Sequence, residues 1–250
     1  MTERVQELLG FDLALVELLA GGRPIEGAAA RIGLSGFRGG SESLTVAGFD
    51  EAGRGALAGP VAVGCVRIDL RRDAGLPLDR ETLVQRLAGL DDSKRLTPRR
   101  RVTLYEAITS AFEWGLGFAS AAEVDRDGIV AACRRAARRA LADLAVAPCV
   151  GLFDRGLSLV ADEHEAAFPE IQFTRGDARS LHVAAASIVA KVGRDAIMER
   201  LDRRFPGYGI ARHKGYGTAA HRDAIGRLGP SILHRRSFLG SLKNAESQSC

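Results

Sequence analysis

The chain has 250 residues, 46% of them hydrophobic, which is enough for one substantial core with a small appendage. Its net charge is +4, and 31 of its 35 basic residues are arginine, a side chain well suited to phosphate groups. Four widely spaced cysteines without a CxxC pair exclude a zinc ribbon and a disulfide framework. No apolar run reaches the roughly 20 residues that span a bilayer, and acidic residues interrupt the N-terminus, so we expect a reduced, cytoplasmic protein.

Residues 1–43 are predicted to form an N-terminal extension outside the main fold. An amphipathic helix is expected over residues 2–20, where leucine and valine recur at helical spacing, and Gly21-Gly22 ends it. The segment 33–43, GLSGFRGGSES, has the composition of a flexible linker. The helix is therefore expected either to dock on the main fold or to move freely.

Residues 44–205 are predicted to form the core of an α/β protein. Strands are expected where short apolar runs are bounded by turn residues, at Thr45–Phe49, Val61–Leu70, Trp114–Ala119, Cys149–Phe153 and Ile171–Thr174. Helices are expected after capping signals, from Thr97-Pro98, from Ser120, over Ile129–Leu144 and from Ser180 to about Phe205. This order of elements indicates a mixed five-stranded sheet flanked by helices.

Residues 206–250 are predicted to form a C-terminal segment of loop and helix. Pro206-Gly207 ends the long helix of the core, because neither residue continues a helix well. A basic turn is expected over Arg212–Gly217 and a final helix over Ala219–Leu228, followed by a polar tail.

Three of the predicted strands lead into acidic residues. Asp50 and Glu51 follow the first strand, Asp154 ends the fourth, and Asp177 follows the fifth. Open α/β sheets place their sites at such strand ends, and carboxylates that converge there repel one another unless cations neutralise them. Two divalent ions can hold an attacking water and the leaving oxygen of a phosphodiester, and Mg²⁺ suits carboxylate ligands. The alternative is that each acid caps a helix or lies in a turn, and for Asp177, close to the start of a helix, this alternative remains open.

A glycine loop, Gly53-Arg54-Gly55, follows the first pair of acids. Such a loop brings backbone N–H groups close to a phosphate, so acids and loop together indicate phosphodiester chemistry. Gly53, Gly55 and Ala58 also match a lenient dinucleotide-binding fingerprint. We reject that interpretation, because Gly59-Pro60 would break the helix that the fingerprint must open.

The combined motifs resemble ribonuclease HII. They run in the order of that family from about residue 45 to residue 238, and the residues that carry the resemblance are Asp50 to Gly55 with Gly59-Pro60, Asp92 to Leu96, Asp154, Gly176 to Ala178, Ser180, Ala184 to Val192 with Arg194-Asp195, His213 to Thr218, and His234 to Phe238. The combination is highly specific, although no single motif is.

The resemblance implies an RNase H-like fold and a metal-dependent endoribonuclease. Such an enzyme cleaves the RNA strand of RNA–DNA hybrids and nicks on the 5′ side of single ribonucleotides in duplex DNA, leaving 3′-hydroxyl and 5′-phosphate ends. The catalytic and metal-binding set would be Asp50, Glu51, Asp154 and Asp177, with one or two Mg²⁺ or Mn²⁺ ions as cofactor. By similarity, Gly53, Arg54 and Gly55 would sense the ribose 2′-hydroxyl, and Tyr216 would stack beside the sugar at the RNA–DNA junction.

Further polar residues are expected to bind substrate. Lys191 and Arg194 lie one helical turn apart and are expected to face backbone phosphates, unless they are solvated or ion-paired. Ser93 and Lys94 are expected to do the same from a loop, with the same alternative, and the remaining substrate-binding candidates are Ser180 and Lys214. Tyr216 has the alternative of an ordinary surface tyrosine, and His182 and His213 are expected to be structural.

Two features depart from the family pattern. Arg155 follows the third acid where the family usually has glycine, which affects the expected geometry of that turn. The extension 1–43 has too few strands for the N-terminal domain of ribonuclease HIII, and its deletion is expected to leave near-normal cleavage. The alternatives are another RNase H-like nuclease of the ribonuclease HIII type, or a non-catalytic hybrid-binding protein.

The expected partners are nucleic acids. They are RNA–DNA hybrids and duplex DNA that contains ribonucleotides, with no membrane involved. We expect a monomer, and the tail after Phe238 carries no recognisable docking motif for a partner protein.

Overall fold

The structure, a computed structural model, describes residues 2–20, 28–32, 45–68, 80–161 and 167–240. Its helices are α1 Thr2–Ala20, α2 Arg80–Arg86, α3 Pro98–Ala111, α4 Ala121–Ala142, α5 Leu181–Arg204, α6 Ile210–His213 and α7 Ala219–Leu228. Its strands are β1 Ala28–Ile32, β2 Val46–Ala52, β3 Val61–Ile68, β4 Glu113–Ala119, β5 Val150–Asp154 and β6 Glu170–Phe173. Single 3₁₀ turns follow at Gly176–Ala178 and Arg236–Phe238.

The strands form one sheet in the order β1-β6-β5-β2-β3-β4. β5 pairs in parallel with both β2 and β6, whereas β3 is antiparallel to both β2 and β4. All five predicted strands are present and form the mixed sheet. A sixth strand, β1, pairs antiparallel with β6. The sequence of β1 is rich in alanine, which has little intrinsic β preference, so the sequence does not predict this strand.

Glycines in the sheet let the two longest helices approach the strands closely. A Cβ atom on Gly64 of β3 would lie 2.3 Å from the carbonyl oxygen of Ala186 in α5. Gly117 of β4 is equally tight, since its Cβ would lie 1.9 Å from the carbonyl oxygen of Ala136 in α4. The predicted alanine face of α5, Ala184–Ala186, is fully buried. The helix α5 therefore sits close enough to fix the strand ends beside it.

Helix ends follow the predicted capping signals. The Thr97 side chain accepts a hydrogen bond from Arg100 N ahead of α3, and Ser120 and Glu123 form a reciprocal capping box on α4. The sequence predicts two helices between residues 120 and 144. Both are present within α4, as two helical segments separated by Gly128, whose φ of 80° is not helical. The helix α2 was not predicted.

The N-terminal helix α1 is docked on the core. Its side chains Val5, Leu8 and Leu9 are buried in one apolar cluster with residues of α2, α3 and α5. The buried carboxylate of Asp12 accepts a hydrogen bond from His182 N at 3.1 Å and lies 2.6 Å from His182 Nδ1. Of the two alternatives, docked or mobile, the structure has the docked one.

The predicted linker 33–43 and the tail 241–250 lie outside the described residues. The division of the chain at residues 43 and 205 stays a prediction. Among the described helices, none is both long and apolar enough to cross a membrane.

Candidate active site

The four predicted acids reach one end of the sheet from three chain segments. Asp50 and Asp154 come side by side because β2 and β5 are parallel, with Phe49 opposite Phe153 one residue earlier. Asp177 lies in the 3₁₀ turn after β6. Gly176 N donates a 2.8 Å hydrogen bond to Asp154 Oδ1, which ties that turn to the end of β5.

Burial and neighbouring negative charges raise the pKa of Asp50, Glu51 and Asp177. The pKa of Asp50 lies well above its ordinary value because of burial and of the neighbouring charges of Glu51, Asp177 and Asp154. Burial also raises the pKa of Glu51, against the opposing effect of Arg54. Burial and then Asp92 raise the pKa of Asp177. These effects are those of carboxylates crowded in a site with little solvent.

Two cations offset part of this charge. Lys94 Nζ lies 3.9 Å from Asp177 Oδ2 on a side chain that is 81% exposed. Burial lowers the pKa of Lys94, but Asp177, Asp50 and Asp92 raise it by more. Arg54 Nη1 lies 3.3 Å from Glu51 Oε1. The side-chain atom Glu51 Oε2 is buried without a hydrogen-bond partner among the described residues, so the acids remain incompletely neutralised.

An open cleft of about 670 Å³ lies against the acids. Its lining includes Asp154 and Asp177 with the basic residues Lys94, Arg155 and Arg175. Arg155 occupies the place where glycine was expected, and Gly156 next to it supplies the positive φ of 87° that the turn needs. Asp92 also lines the cleft. The sequence places Asp92 in a motif, but it was not predicted as a site residue.

The two outer glycines of the Gly53-Arg54-Gly55 loop have different surroundings. Gly53 has a φ of 84°, and a Cβ there would collide with the side chain of Arg194, 1.8 Å from Nε. Gly55 has no atom within 4 Å of its Cβ position. Gly53 is therefore required for packing, whereas Gly55 leaves open space for a ligand to approach the backbone.

Tyr216 lies in a loop that is hydrogen-bonded to the segment after this glycine loop. Leu57 N donates to Gly215 O at 2.8 Å, and the same oxygen accepts from Ala58 N at 3.2 Å. Tyr216 is 38% exposed to solvent, which is high for a large aromatic residue. The structure thus brings an exposed aromatic ring and the glycine loop together as one unit.

Comparison with known proteins identifies the family. A family model described as Ribonuclease HII matches residues 47–240, most of the chain. The chain belongs to the ribonuclease HII family. A ribonuclease HII from Parasynechococcus marenigrum strain WH8102 is 48% identical over 195 residues, which make up 78% of this chain and 81% of that protein.

Two solved structures are similar to the fold. The ribonuclease H2 from Pyrococcus horikoshii OT3 is 26% identical with a TM-score of 0.59, over 82% of this chain and 98% of that chain. The ribonuclease HII from Archaeoglobus fulgidus, solved in complex with PCNA, is 26% identical with a TM-score of 0.61, over 77% and 94%. The predicted RNase H-like fold and the predicted enzyme class, an endonuclease of the ribonuclease H type, are confirmed.

The donor set of this ribonuclease HII family member fits a hard divalent cation. Among the described residues, no three His, Cys, Asp or Glu side chains are close enough together to hold a metal ion as they stand, and Asp154 and Glu51 each have a local hydrogen-bond partner. The carboxylates nevertheless offer only oxygen, which Mg²⁺ and Mn²⁺ prefer. A cation would also relieve the repulsion on Asp50 and satisfy Glu51 Oε2.

Two predicted substrate-binding residues of the family motif are buried and need correction. Arg194 is 0% exposed, and its guanidinium donates to the carbonyls of Pro60 at 2.8 Å, Lys214 at 2.9 Å and Ala58 at 3.3 Å. These hydrogen bonds join the segment after the glycine loop to the loop that carries Tyr216, so the guanidinium does not face a phosphate. Ser180 is fully buried and caps α5 by accepting from Val183 N, so it is structural.

The other candidates lie around the site with local partners. Lys191 Nζ pairs with Asp195 at 2.8 Å, as the ion-paired alternative predicts for it. Lys214 Nζ also has an ion-pair partner, Glu199 at 2.6 Å. Ser93 is buried, and its carbonyl accepts from Arg101. Lys94 is thus the one member of this group placed directly at the acids.

Proposed function

We propose that the chain cleaves the RNA strand of RNA–DNA hybrids and nicks duplex DNA on the 5′ side of a single embedded ribonucleotide, leaving 3′-hydroxyl and 5′-phosphate ends. The observation that carries this proposal is that four acids from three chain segments lie at one end of the sheet, next to a unit that we propose senses the ribose. That unit consists of the open backbone at Gly55 and the exposed ring of Tyr216. Membership of the ribonuclease HII family supports the same substrate class.

In the proposed mechanism, Asp50, Glu51, Asp154 and Asp177 hold one or two Mg²⁺ or Mn²⁺ ions. When bound, these ions supply charge stabilisation at the scissile phosphate and activation of the attacking water. The chain's own contribution is to hold the carboxylates in a partly desolvated position at the end of a rigid sheet. Lys94 and Arg155 line the cleft and are suited to position the phosphate backbone.

In this proposal, the glycine loop and Tyr216 distinguish a ribonucleotide from a deoxyribonucleotide. The 2′-hydroxyl is the one group that distinguishes RNA from DNA at a single nucleotide. Only a backbone without a side chain allows a sugar to approach closely enough for N–H and C=O groups to read that hydroxyl. The Tyr216 ring is then available to pack on the deoxyribose that follows.

The test is a comparison of three duplexes of one sequence: all DNA, DNA with one ribonucleotide, and a full RNA–DNA hybrid. We expect metal-dependent nicking 5′ of the single ribonucleotide, cleavage of the hybrid and no cleavage of the DNA. Cleavage of the hybrid alone would favour a ribonuclease HIII type of activity. Tight binding of the hybrid without turnover would favour a non-catalytic hybrid-binding protein.

A further inference from the structure

Three histidines lie behind the Tyr216 loop and are not used by the proposed chemistry. The rings of His213 and His221 are stacked with centroids 4.2 Å apart. His221 Nε2 lies 3.2 Å from His234 Nε2, and His221 Nδ1 lies 3.0 Å from the carbonyl oxygen of Tyr216. His221 is fully buried and His234 nearly so. Two successive contacts therefore connect the ring of His234, through the ring of His221, to the backbone carbonyl of Tyr216.

The hydrogen-bond partners define which nitrogen carries each proton. Ser231 N–H donates to His234 Nδ1 at 3.0 Å, so that nitrogen is an acceptor and the proton of neutral His234 is on Nε2. His234 Nε2–H then donates to His221 Nε2. The proton of neutral His221 must therefore be on Nδ1, from which it donates to Tyr216 O. The chain of donors runs in one direction, from Ser231 to Tyr216.

The surroundings of the pair favour neutral imidazoles. Burial lowers the pKa of His221 to about 4, and His213 and His234 lower it further, against the opposing hydrogen bonds to the backbone of Tyr216 and Gly215. Burial and His213 also lower the pKa of His234, against the opposing hydrogen bond to the backbone of Ser231. Tyr208 packs against the His234 ring with centroids 4.9 Å apart. Burial therefore outweighs the contacts that would favour an imidazolium.

We propose that His221 is a positioning residue for Tyr216, and that His234 fixes His221 in the Nδ1–H tautomer that this role requires. This inference rests on the proposed role of Tyr216 in recognising the RNA–DNA junction. Without His234, the His221 proton is free to move to Nε2, and the remaining lone pair would then face the Tyr216 carbonyl. The tyrosine would lose one of the bonds that hold its backbone.

The loop has few other restraints on this carbonyl. Tyr216 O also accepts from Thr218 N at 2.8 Å, a bond within the loop itself. The His221 ring, on α7, is thus what connects the carbonyl to a neighbouring helix. We expect loss of that connection to shift the ring of Tyr216 relative to the glycine loop, whose following residues Leu57 and Ala58 bond to Gly215 O.

The tautomer is measured directly by long-range ¹H–¹⁵N correlation spectra of the ¹⁵N-labelled full chain at pH 7. We expect His221 as the neutral Nδ1–H form and His234 as the neutral Nε2–H form, with assignments made from His221→Asn and His234→Gln. An Nε2–H tautomer of His221, or a protonated ring at pH 7, would overturn the proposal. This measurement needs no substrate, so it is independent of the proposed function.

The functional role is measured by a double-mutant cycle on the single-ribonucleotide duplex. His221→Phe should lower kcat/KM by about tenfold, the size expected for one lost hydrogen bond of a positioned group. In a Tyr216→Ala background the same substitution should change kcat/KM by less than about twofold, because its effect passes through Tyr216. His221→Asn, whose amide reaches the Nδ1 position, should recover most of the loss.

The control is Asp223→Asn, on an exposed position of the same helix. Melting temperatures of all variants separate positioning from unfolding. An equal loss from His221→Phe with and without Tyr216 would contradict the proposal, and so would failure of His221→Asn to recover activity while folded. If Tyr216→Ala itself has no effect, the proposed role of Tyr216 fails, whereas the tautomer measurement still decides the hydrogen-bond chain.

Discussion

At the residue scale, Gly53 and Gly55 have separate tasks although they stand two positions apart in one motif. Gly53 combines a positive φ with direct packing against the guanidinium of Arg194. Gly55 has ordinary φ and open space in front of it. In the sequence the two glycines belong to one loop and cannot be told apart. The position of Arg194 in the structure shows that Gly53 is needed for packing, whereas Gly55 is accessible to a ligand.

The two substitutions to alanine should therefore give different results. Gly53→Ala should destabilise the fold by at least about 1 kcal/mol, since a positive φ alone costs a non-glycine residue that much. Gly55→Ala should leave the melting temperature within about 1 °C of the parent while it reduces cleavage 5′ of a single ribonucleotide by tenfold or more, roughly the effect of disturbing a close contact. Thermal unfolding and kcat/KM measured on both variants check this pair. Equal stability of the two variants would contradict the assigned roles.

At the element scale, α1 is part of the packed structure although the family match begins only at residue 47. Its buried Asp12 holds both the backbone and the ring of His182, the second residue of α5. Arg4 of the same helix donates to Ala178 O, next to Asp177. The helix therefore contacts both the long helix of the core and the turn that carries one of the acids.

Removal of the Asp12 carboxylate should lower the free energy of unfolding by about 2–4 kcal/mol, because the buried backbone N–H and ring nitrogen Nδ1 of His182 both lose their partner. Urea unfolding of Asp12→Ala, with the exposed Glu3→Ala as control, measures this. Deletion of residues 1–43 should likewise lower the melting temperature, because it uncovers the apolar cluster around Leu8 and Leu9. Cleavage by the truncated chain should stay near normal at temperatures where it is folded. Unchanged stability of Asp12→Ala would show that α1 is not anchored in this way.

The C-terminal histidine cluster makes stability depend on pH. The pKa of His221 falls from its ordinary value of 6.5 to about 4 in the folded chain. Between these two values the unfolded chain binds more protons at this site than the folded chain, so stability decreases as the pH falls through that window. Urea unfolding at pH 7 and pH 5 should show a smaller loss for His221→Asn than for the parent. An identical loss in both would contradict a depressed pKa at His221.

At the scale of the whole molecule, the sequence predicts the arrangement of the acids because local patterns determine it. Apolar runs that end in Asp50, Asp154 and the turn before Asp177 give the strands, and parallel pairing of β2 with β5 brings their ends together. The capping residues Thr97 and Ser120 likewise fix helix starts from neighbouring positions alone. The roles proposed for the glycine loop and Tyr216 come from the resemblance to ribonuclease HII and not from local patterns.

What the sequence does not predict depends on contacts between distant segments. Arg194 is predicted to face a phosphate, but it instead binds three backbone carbonyls. These carbonyls lie 134, 20 and 136 residues away in the chain, so no local pattern predicts the contacts. The strand β1 has a weak strand sequence and exists by pairing with the edge strand β6. The hydrogen-bond chain from Ser231 to Tyr216 joins residues only 3, 13 and 5 positions apart, but the sequence does not show that the rings of His234 and His221 face each other.

We propose that the acids of β2, β5 and the Asp177 turn form a single catalytic centre, and the substitution Asp50→Asn tests this proposal. The measurement is the rate of nicking of a duplex with one ribonucleotide, in Mg²⁺ and in EDTA, with melting temperatures recorded in EDTA and Asp223→Asn as the control. We expect Asp50→Asn to lower the nicking rate by about a thousandfold, the order expected when a central electrostatic contact of the transition state is removed. We also expect its melting temperature in EDTA to be no lower than that of the parent, because the neutral amide relieves the repulsion that raises the pKa of Asp50. Nicking by Asp50→Asn at the parental rate would contradict the claim.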